Sequence, residues 1–178
     1  MNSYLSEFTE YLAEKKALAR NSLLAYERDV RGFYAFLQEK GITDFRDVTK
    51  TEVVAYLLAL KNQDKSAATV NRKLASLRAF FQYLESYKGF AQDPTEGIKS
   101  PKIERKKLEY LTVEEVEKLL AQPDDSVKGR RDRALLEVLY ASGMRVSEVA
   151  AIDLPNINLR IGFIMTGQLS GKPRIIPL

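Results

Sequence analysis

The chain has 178 residues, 45% of them hydrophobic, which is enough to form one or two domains with a buried core. It contains no cysteine and no histidine, which excludes disulfides, cysteine nucleophiles and the side chain most often used as a metal ligand or general base. The formal net charge is +4, and the sequence shows neither a signal peptide nor an apolar run long enough to cross a membrane. We therefore expect a cytoplasmic protein with no membrane partner.

Four helices are predicted in residues 1–90, because apolar side chains recur there at helical spacing in four separate stretches. Good capping residues predict where these helices begin and end. Asn21 and Ser22 are expected to begin the second helix and Gly41 to end it, Thr49 and Glu52 form a capping-box pattern at the third, and Ser66 and Gly89 bound the fourth. The amino-terminal half is therefore predicted to be a helical domain.

The fourth predicted helix has an unusual polar face. Helical periodicity places one column of polar side chains opposite its apolar stripe and two more on a flank. The column is Lys65, Thr69, Arg72 and Ser76, and the flank is Asn71 and Arg78. Short polar side chains let a helix lie in a DNA groove, where arginine reaches base edges or phosphates. A solvated face is the alternative, and the absence of Asp and Glu from Ser66 to Leu84 favours DNA.

Basic side chains are concentrated in two short segments beyond the fourth helix, a distribution typical of phosphate contact. The first segment includes Lys106 and Lys107, and the second includes Arg131. An ordinary solvated surface explains the same charges, and charge alone does not decide between the two. The first segment lies in residues 91–109, where two prolines and a glycine predict an extended linker between domains.

Residues 110–178 are predicted to form a second domain that contains both helices and strands. The expected elements are a capping box at Thr112, a helix from about Gly129 to Ser142, further helical turns from Arg145 to Ala151, and a β-hairpin of residues 163–166 and 174–178. A two-stranded sheet is marginal by itself. This domain is therefore interpreted as the first part of a larger one.

Arg145 and Glu148 lie three residues apart at the start of a predicted helix, shortly after the helix-ending Gly143. At this spacing the carboxylate can fix the guanidinium, and a fixed guanidinium can bind a phosphate through two hydrogen bonds. A surface ion pair of little energetic value is the alternative. The spacing alone favours the ion pair.

The sequence around this pair resembles the first arginine box of the tyrosine recombinases, the phage integrase family, and is especially similar to its Xer branch. The box consists of Arg130 to Leu136 followed by Ala-Ser-Gly-Met-Arg-Val-Ser-Glu-Val at residues 141–149. Four further segments resemble the family in the expected order, at residues 21–30, 69–81, 93–102 and 171–178. The similarity covers essentially the whole chain and corresponds to the amino-terminal three-fifths of such a recombinase.

This resemblance implies a four-helix SAM-like core-binding domain followed by the first part of an α+β catalytic domain, the two closing around duplex DNA. In the family a tyrosine attacks a DNA phosphate, while arginines, a hairpin lysine and histidines stabilise charge and move protons without a metal or nucleotide cofactor. Arg145 matches the first arginine, Glu148 its acidic partner and Lys172 a hairpin lysine. Arg28, in the segment that resembles the family's second helix, is a further DNA-binding candidate.

The implied process is DNA recombination or integration of the kind that resolves chromosome dimers. Duplex DNA is the expected partner, together with other recombinase protomers when the protein is full-length. No small-molecule substrate is expected.

The sequence also departs from the family pattern. Without histidine the His-x-x-Arg box cannot be present, and the tyrosine nucleophile is expected well beyond Leu178. Lys172 aligns with the second, less critical hairpin lysine, while the catalytic position falls on Leu169 or Gln168. The lysine role has therefore either moved to Lys172 or been lost.

We interpret the chain as a DNA-binding fragment of a recombinase that does not cleave DNA by itself. Two alternatives are a regulatory module that occupies recombination sites without chemistry, and an enzyme with an unorthodox nucleophile.

Overall fold

The structure is a computed structural model that describes residues 2–103, 108–167 and 173–178. The chain divides into two compact units, residues 1–106 and residues 107–178. Helices dominate the described residues, which contain one small sheet. The prediction of a mainly α fold is therefore confirmed. No helix in the described part of the chain is both long and apolar enough to span a bilayer.

Four helices form the first unit: α1 (Asn2–Glu14), α2 (Arg20–Glu39), α3 (Lys50–Asn62) and α4 (Ala67–Lys88). The capping box of α3 is present as predicted, because the carboxylate of Glu52 accepts the backbone N–H of Thr49 at 2.8 Å. Gly89 ends α4 with a left-handed backbone, φ 68°. Helix α2 begins close to the predicted position, but its N-cap is Ala19, which has no polar side chain, and not Asn21 or Ser22.

Aromatic rings fill the centre of the first unit. Phe8, Phe33, Phe80 and Phe81 are essentially fully buried, and they come from three different helices. Phe45, in a short 3-10 helix before α3, packs edge-on against Phe80 with ring centroids 4.9 Å apart. Burying a phenylalanine side chain stabilises a fold by about 1.5–3 kcal/mol, so these rings account for much of what holds the four helices together.

The chain beyond α4 continues to pack on the helical unit as far as Ile98. Phe90, Thr95 and Ile98 are each less than one-tenth exposed. The carboxylate of Asp93 accepts hydrogen bonds from the backbone N–H and hydroxyl of Thr95, at 2.8 and 2.7 Å. The first part of the segment predicted as a linker is therefore built into the first unit.

The second unit contains α5 (Val113–Leu120), α6 (Val127–Ser142) and α7 (Val146–Val149), then the strands β1 (Ile157–Asn158), β2 (Phe163–Thr166) and β3 (Arg174–Pro177). The sheet is antiparallel in the order β1-β2-β3, with Ile164 opposite Ile176. The hairpin partners β2 and β3 were predicted, whereas β1 was not. Its two residues are too few to show an alternating pattern.

The core of the second unit is small. Met144, Val149 and Ile164 are its buried apolar side chains among the described residues. Other large apolar side chains stay exposed, including Leu154 at 85% and Leu159 at 81%. The described part of the second unit therefore buries few apolar side chains.

Candidate nucleic-acid interface

Arg145 occupies the N-cap position of α7, directly after a sharp turn. Gly143 ends α6 with a left-handed backbone, φ 60°, and Met144 then enters the core of the second unit. This turn leaves the Arg145 side chain 74% exposed. An exposed guanidinium at a fixed backbone position is suited to binding an anion.

Glu148 fixes Arg145 in two ways. Its carboxylate accepts the backbone N–H of Arg145 at 2.8 Å, and its second oxygen lies 3.3 Å from the Arg145 guanidinium. The Glu148 side chain is only 16% exposed, so this carboxylate is far less hydrated than the arginine it contacts. The ion pair between Arg145 and Glu148 is therefore more constrained than an ordinary surface pair, because the same carboxylate also accepts the backbone N–H at the start of the helix.

Arg174 is a second guanidinium at this site, which sequence reasoning missed. From β3 it donates to the carboxylate of Glu148 at 2.8 Å. The backbone N–H of Arg145 is the main cause that holds the pKa of Glu148 below its ordinary value, and the charges of Arg174 and Arg145 lower that pKa further against the effect of burial. One carboxylate therefore serves two arginines that lie 29 positions apart in the sequence.

Lys172, the candidate hairpin lysine, lies outside the described residues, and so do Lys106 and Lys107. Arg28 is described and exposed on α2. Arg131 is also exposed, and its guanidinium pairs with the neighbouring Asp132 at 2.7 Å. Neither Arg28 nor Arg131 has a hydrogen bond or ion pair with Glu148 among the described residues.

Asp29 organises the polar face of α4. This carboxylate is completely buried, and it accepts hydrogen bonds from Arg72, from Ser76 at 2.9 Å and from Lys73 at 3.2 Å. The expectation that Ser76 faces outward was wrong, because α2 packs on this side of α4 and leaves Ser76 3% exposed. Arg72 keeps 41% of its side chain exposed, so its guanidinium is anchored at one end and accessible at the other.

The remaining polar residues of α4 have mixed surroundings. Lys65, which lies just before α4, is exposed. Thr69 is half-buried, and its backbone N–H donates to the hydroxyl of the N-cap Ser66 at 3.2 Å. Asn71 and Arg78 hold the chain beyond α4: the Asn71 amide donates to the carbonyl of Pro101 at 2.8 Å, and Arg78 donates to Ile98 and Ser100. These last two are therefore structural contacts in the described molecule.

Comparison with known proteins gives the same family along the whole chain. Residues 5–88 match the phage integrase N-terminal SAM-like domain, and residues 109–178 match the phage integrase family. The chain is 44% identical over 177 residues to a tyrosine recombinase of Caldanaerobacter subterraneus, and 37% identical over 180 residues to the tyrosine recombinase XerD of Listeria monocytogenes. The first match includes 99% of this chain and 60% of the relative's length, and the second includes 100% of this chain and 61% of the relative's length.

Solved structures agree on the fold. A lambda integrase dimer bound to a COC' core site matches 99% of the chain with a TM-score of 0.75 at 19% identity, and the chain covers 62% of it. The Tn1549 transposon integrase in complex with a circular intermediate DNA matches 98% with a TM-score of 0.72 at 16% identity, and 60% of it is covered. The chain belongs to the phage integrase family of tyrosine recombinases.

Proposed function

We propose that this chain binds duplex DNA as part of a Xer-like site-specific recombinase, and that these 178 residues do not cleave DNA by themselves. The observation that carries the proposal is the exposed Arg145 guanidinium, fixed at its backbone and side chain by Glu148. Relatives named as recombinases, and similar integrases solved on DNA, support it.

The cluster around Glu148 has the composition expected of a site for a DNA phosphate. Two guanidinium groups share one carboxylate, which leaves a net positive charge and free N–H donors for phosphate oxygens. In phosphoryl transfer the oxygens around the phosphorus gain negative charge, and donors already fixed in place lower the energy of that state. We assign this role to Arg145, with Glu148 as the residue that positions it.

The first unit supplies a separate candidate surface for the DNA backbone. Arg72 is anchored by Asp29 yet 41% exposed. Arg28 is exposed on α2, and Lys65 is exposed just before the start of α4. Anchoring reduces the rotamer entropy that an arginine loses when it meets a phosphate. Binding through such residues should weaken steeply with added salt, because bound counterions are released from the DNA.

The composition of the chain supports the proposed absence of cleavage. No histidine is present, so the His-x-x-Arg box of the family does not lie within these residues. The groups that stabilise charge, transfer protons and attack the phosphorus act together in catalysis. Loss of several of these groups therefore leaves only a small fraction of the rate acceleration. We assign none of the nine tyrosines to the nucleophile, and Tyr140, which precedes the arginine box, is proposed to be structural.

Fluorescence anisotropy with a labelled duplex that carries a Xer-type site tests the binding. We expect salt-dependent binding that Arg145→Ala and Arg72→Ala each weaken, whereas Arg160→Ala, at an exposed position outside both surfaces, leaves it unchanged. Absence of binding at low ionic strength, or equal affinity of all three variants, would refute the proposal.

A suicide substrate, which traps a covalent intermediate at a nick, tests the second part. We expect no protein–DNA adduct on a denaturing gel. An adduct that maps to any of the nine tyrosines would show that this chain carries its own nucleophile.

A further inference from the structure

A groove of about 760 Å³ on the first unit has an aliphatic floor. Val54 and Leu58, from α3, are 39% and 56% exposed there, and Ile98 closes the opposite side. Aliphatic side chains that share a concave, water-exposed surface favour a partner that covers them. Neither the cluster around Glu148 nor the pairing of Arg72 with Asp29 makes use of this floor.

The rim of the same groove is strongly basic. No Asp or Glu is among its described lining residues, and none of its lysines forms an ion pair within the described part of the chain. The lysines are Lys50, Lys61, Lys65, Lys99 and Lys102, of which Lys65 also borders the surface proposed for the DNA backbone. Five ammonium groups with no ion-pair partner among the described residues repel each other around one concavity, so an anionic partner reduces this repulsion.

The sequence of α3 places part of the basic rim and the aliphatic floor of the groove on one helix face. Lys50, Val54, Leu58 and Lys61 recur at helical spacing, so a lysine stands at each end of a short aliphatic stripe. Lys50 also reaches the far wall, where its ammonium nitrogen lies 3.3 Å from the position that a β-carbon on Gly97 would take. Gly97 itself has a left-handed backbone, φ 68°, which favours glycine at this position.

The far wall is held in place before any partner binds. Arg78 donates to the carbonyl of Ile98 and to the hydroxyl of Ser100, and Asn71 donates to the carbonyl of Pro101. Two side chains of α4 therefore fix the segment that faces α3. A site that is already formed loses less conformational entropy when it binds.

We infer that this groove binds an acidic, amphipathic peptide segment of another protein. Aliphatic side chains of the segment cover Val54 and Leu58, and its carboxylates meet the lysines of the rim, the usual division between the core and rim of a peptide interface. Duplex DNA fits less well, because phosphates pair with lysines but cover no aliphatic floor. The inference goes beyond the proposed DNA binding and does not depend on it.

The test uses the full chain and a fluorescein-labelled helical peptide that has leucine on one face and glutamate on the other. A second peptide replaces every leucine with serine and keeps the charge. We expect the first peptide to bind with an affinity that Leu58→Ser and Lys61→Glu each lower at least about tenfold, as central interface contacts do. The serine peptide should bind much more weakly, and Lys16→Glu, at an exposed lysine on the same unit, should change little.

Thermal unfolding of each variant separates lost binding from lost folding, and the largely exposed Leu58 makes a folding defect small. The inference is overturned if the leucine peptide does not bind, or if Leu58→Ser leaves its affinity unchanged. It is also overturned if Leu58→Ser weakens binding of duplex DNA as much as binding of the peptide, because the groove would then belong to the DNA surface.

Discussion

The ion cluster at Asp29 gives the sharpest test of how the first unit is held together. Asp29→Asn keeps the shape of the side chain and removes its charge. Lys73, whose side chain is only 15% exposed, then loses its counter-ion in a buried position. Removing one partner of a buried ion pair costs about 3 to 5 kcal/mol. Because Arg72 is 41% exposed and can be hydrated, we take the lower end of that range.

We therefore expect Asp29→Asn to lower the free energy of unfolding of the first unit by about 3 kcal/mol. In a unit of roughly 100 residues, 1 kcal/mol shifts the midpoint by about 4–8 °C, so the melting temperature should fall by more than about 10 °C. Circular dichroism during urea and thermal unfolding measures both quantities. The matched control is Glu39→Gln, an exposed acid at the end of α2, which should change stability by less than about 0.5 kcal/mol.

A double-mutant cycle with Arg72→Ala apportions the effect. If Asp29 anchors Arg72, the two substitutions should couple by about 0.5 to 3 kcal/mol, as contacting residues do. A loss below about 1 kcal/mol for Asp29→Asn, or strict additivity with Arg72→Ala, would refute the reasoning. Either result would mean that water or a neighbouring group satisfies the buried lysine.

Three further predictions concern the second unit and the segment between the units. Glu148 should titrate below the ordinary pKa of a glutamate. The stability that its carboxylate contributes is therefore present above the ordinary pKa and is lost as the pH falls through the lowered pKa. Arg174→Ala should raise the pKa of Glu148, and NMR of the side-chain carboxyl resonance measures this shift. Gly129→Ala should destabilise the second unit by about 1 to 3 kcal/mol, because a β-carbon there would lie 2.1 Å from a backbone oxygen, and Lys128→Ala is the control in thermal unfolding. Limited trypsin digestion should cut first within residues 99–107, and first cleavage inside a helix of the first unit would contradict that boundary.

Elements that carry their own boundary signals could be predicted from sequence. The capping box of α3 and the left-handed Gly89 after α4 are encoded within four residues of each helix end, and both are present. The start of α2 shows the limit of such signals. Asn21 and Ser22 are good capping residues, yet the helix begins before them at Arg20, and its N-cap Ala19 makes no side-chain hydrogen bond.

At the cluster around Glu148, the sequence predicted the pairing of Arg145 with Glu148 but not the contact of Arg174 with Glu148. Arg145 and Glu148 are near neighbours, so helical spacing alone pairs them. Arg174 reaches the same carboxylate from 26 residues away, and Asp29 meets Ser76 across 47 residues. Neither contact leaves a periodic trace in the sequence. Both depend on how β3 pairs with β2 and how α2 packs on α4.

These long-range contacts also change what the polar face of α4 can do. An outward column of four polar residues would offer DNA a continuous row of donors. In the structure Ser76 is buried against Asp29, and Arg72 is fixed there by one end of its guanidinium. The face therefore offers fewer contacts, but the arginine that remains is already oriented. A carboxylate that holds an exposed arginine occurs in both units: Asp29, which is fully buried, with Arg72, and Glu148, which is 16% exposed, with Arg145. In each case the acid sets the position of the guanidinium that we propose for phosphate contact.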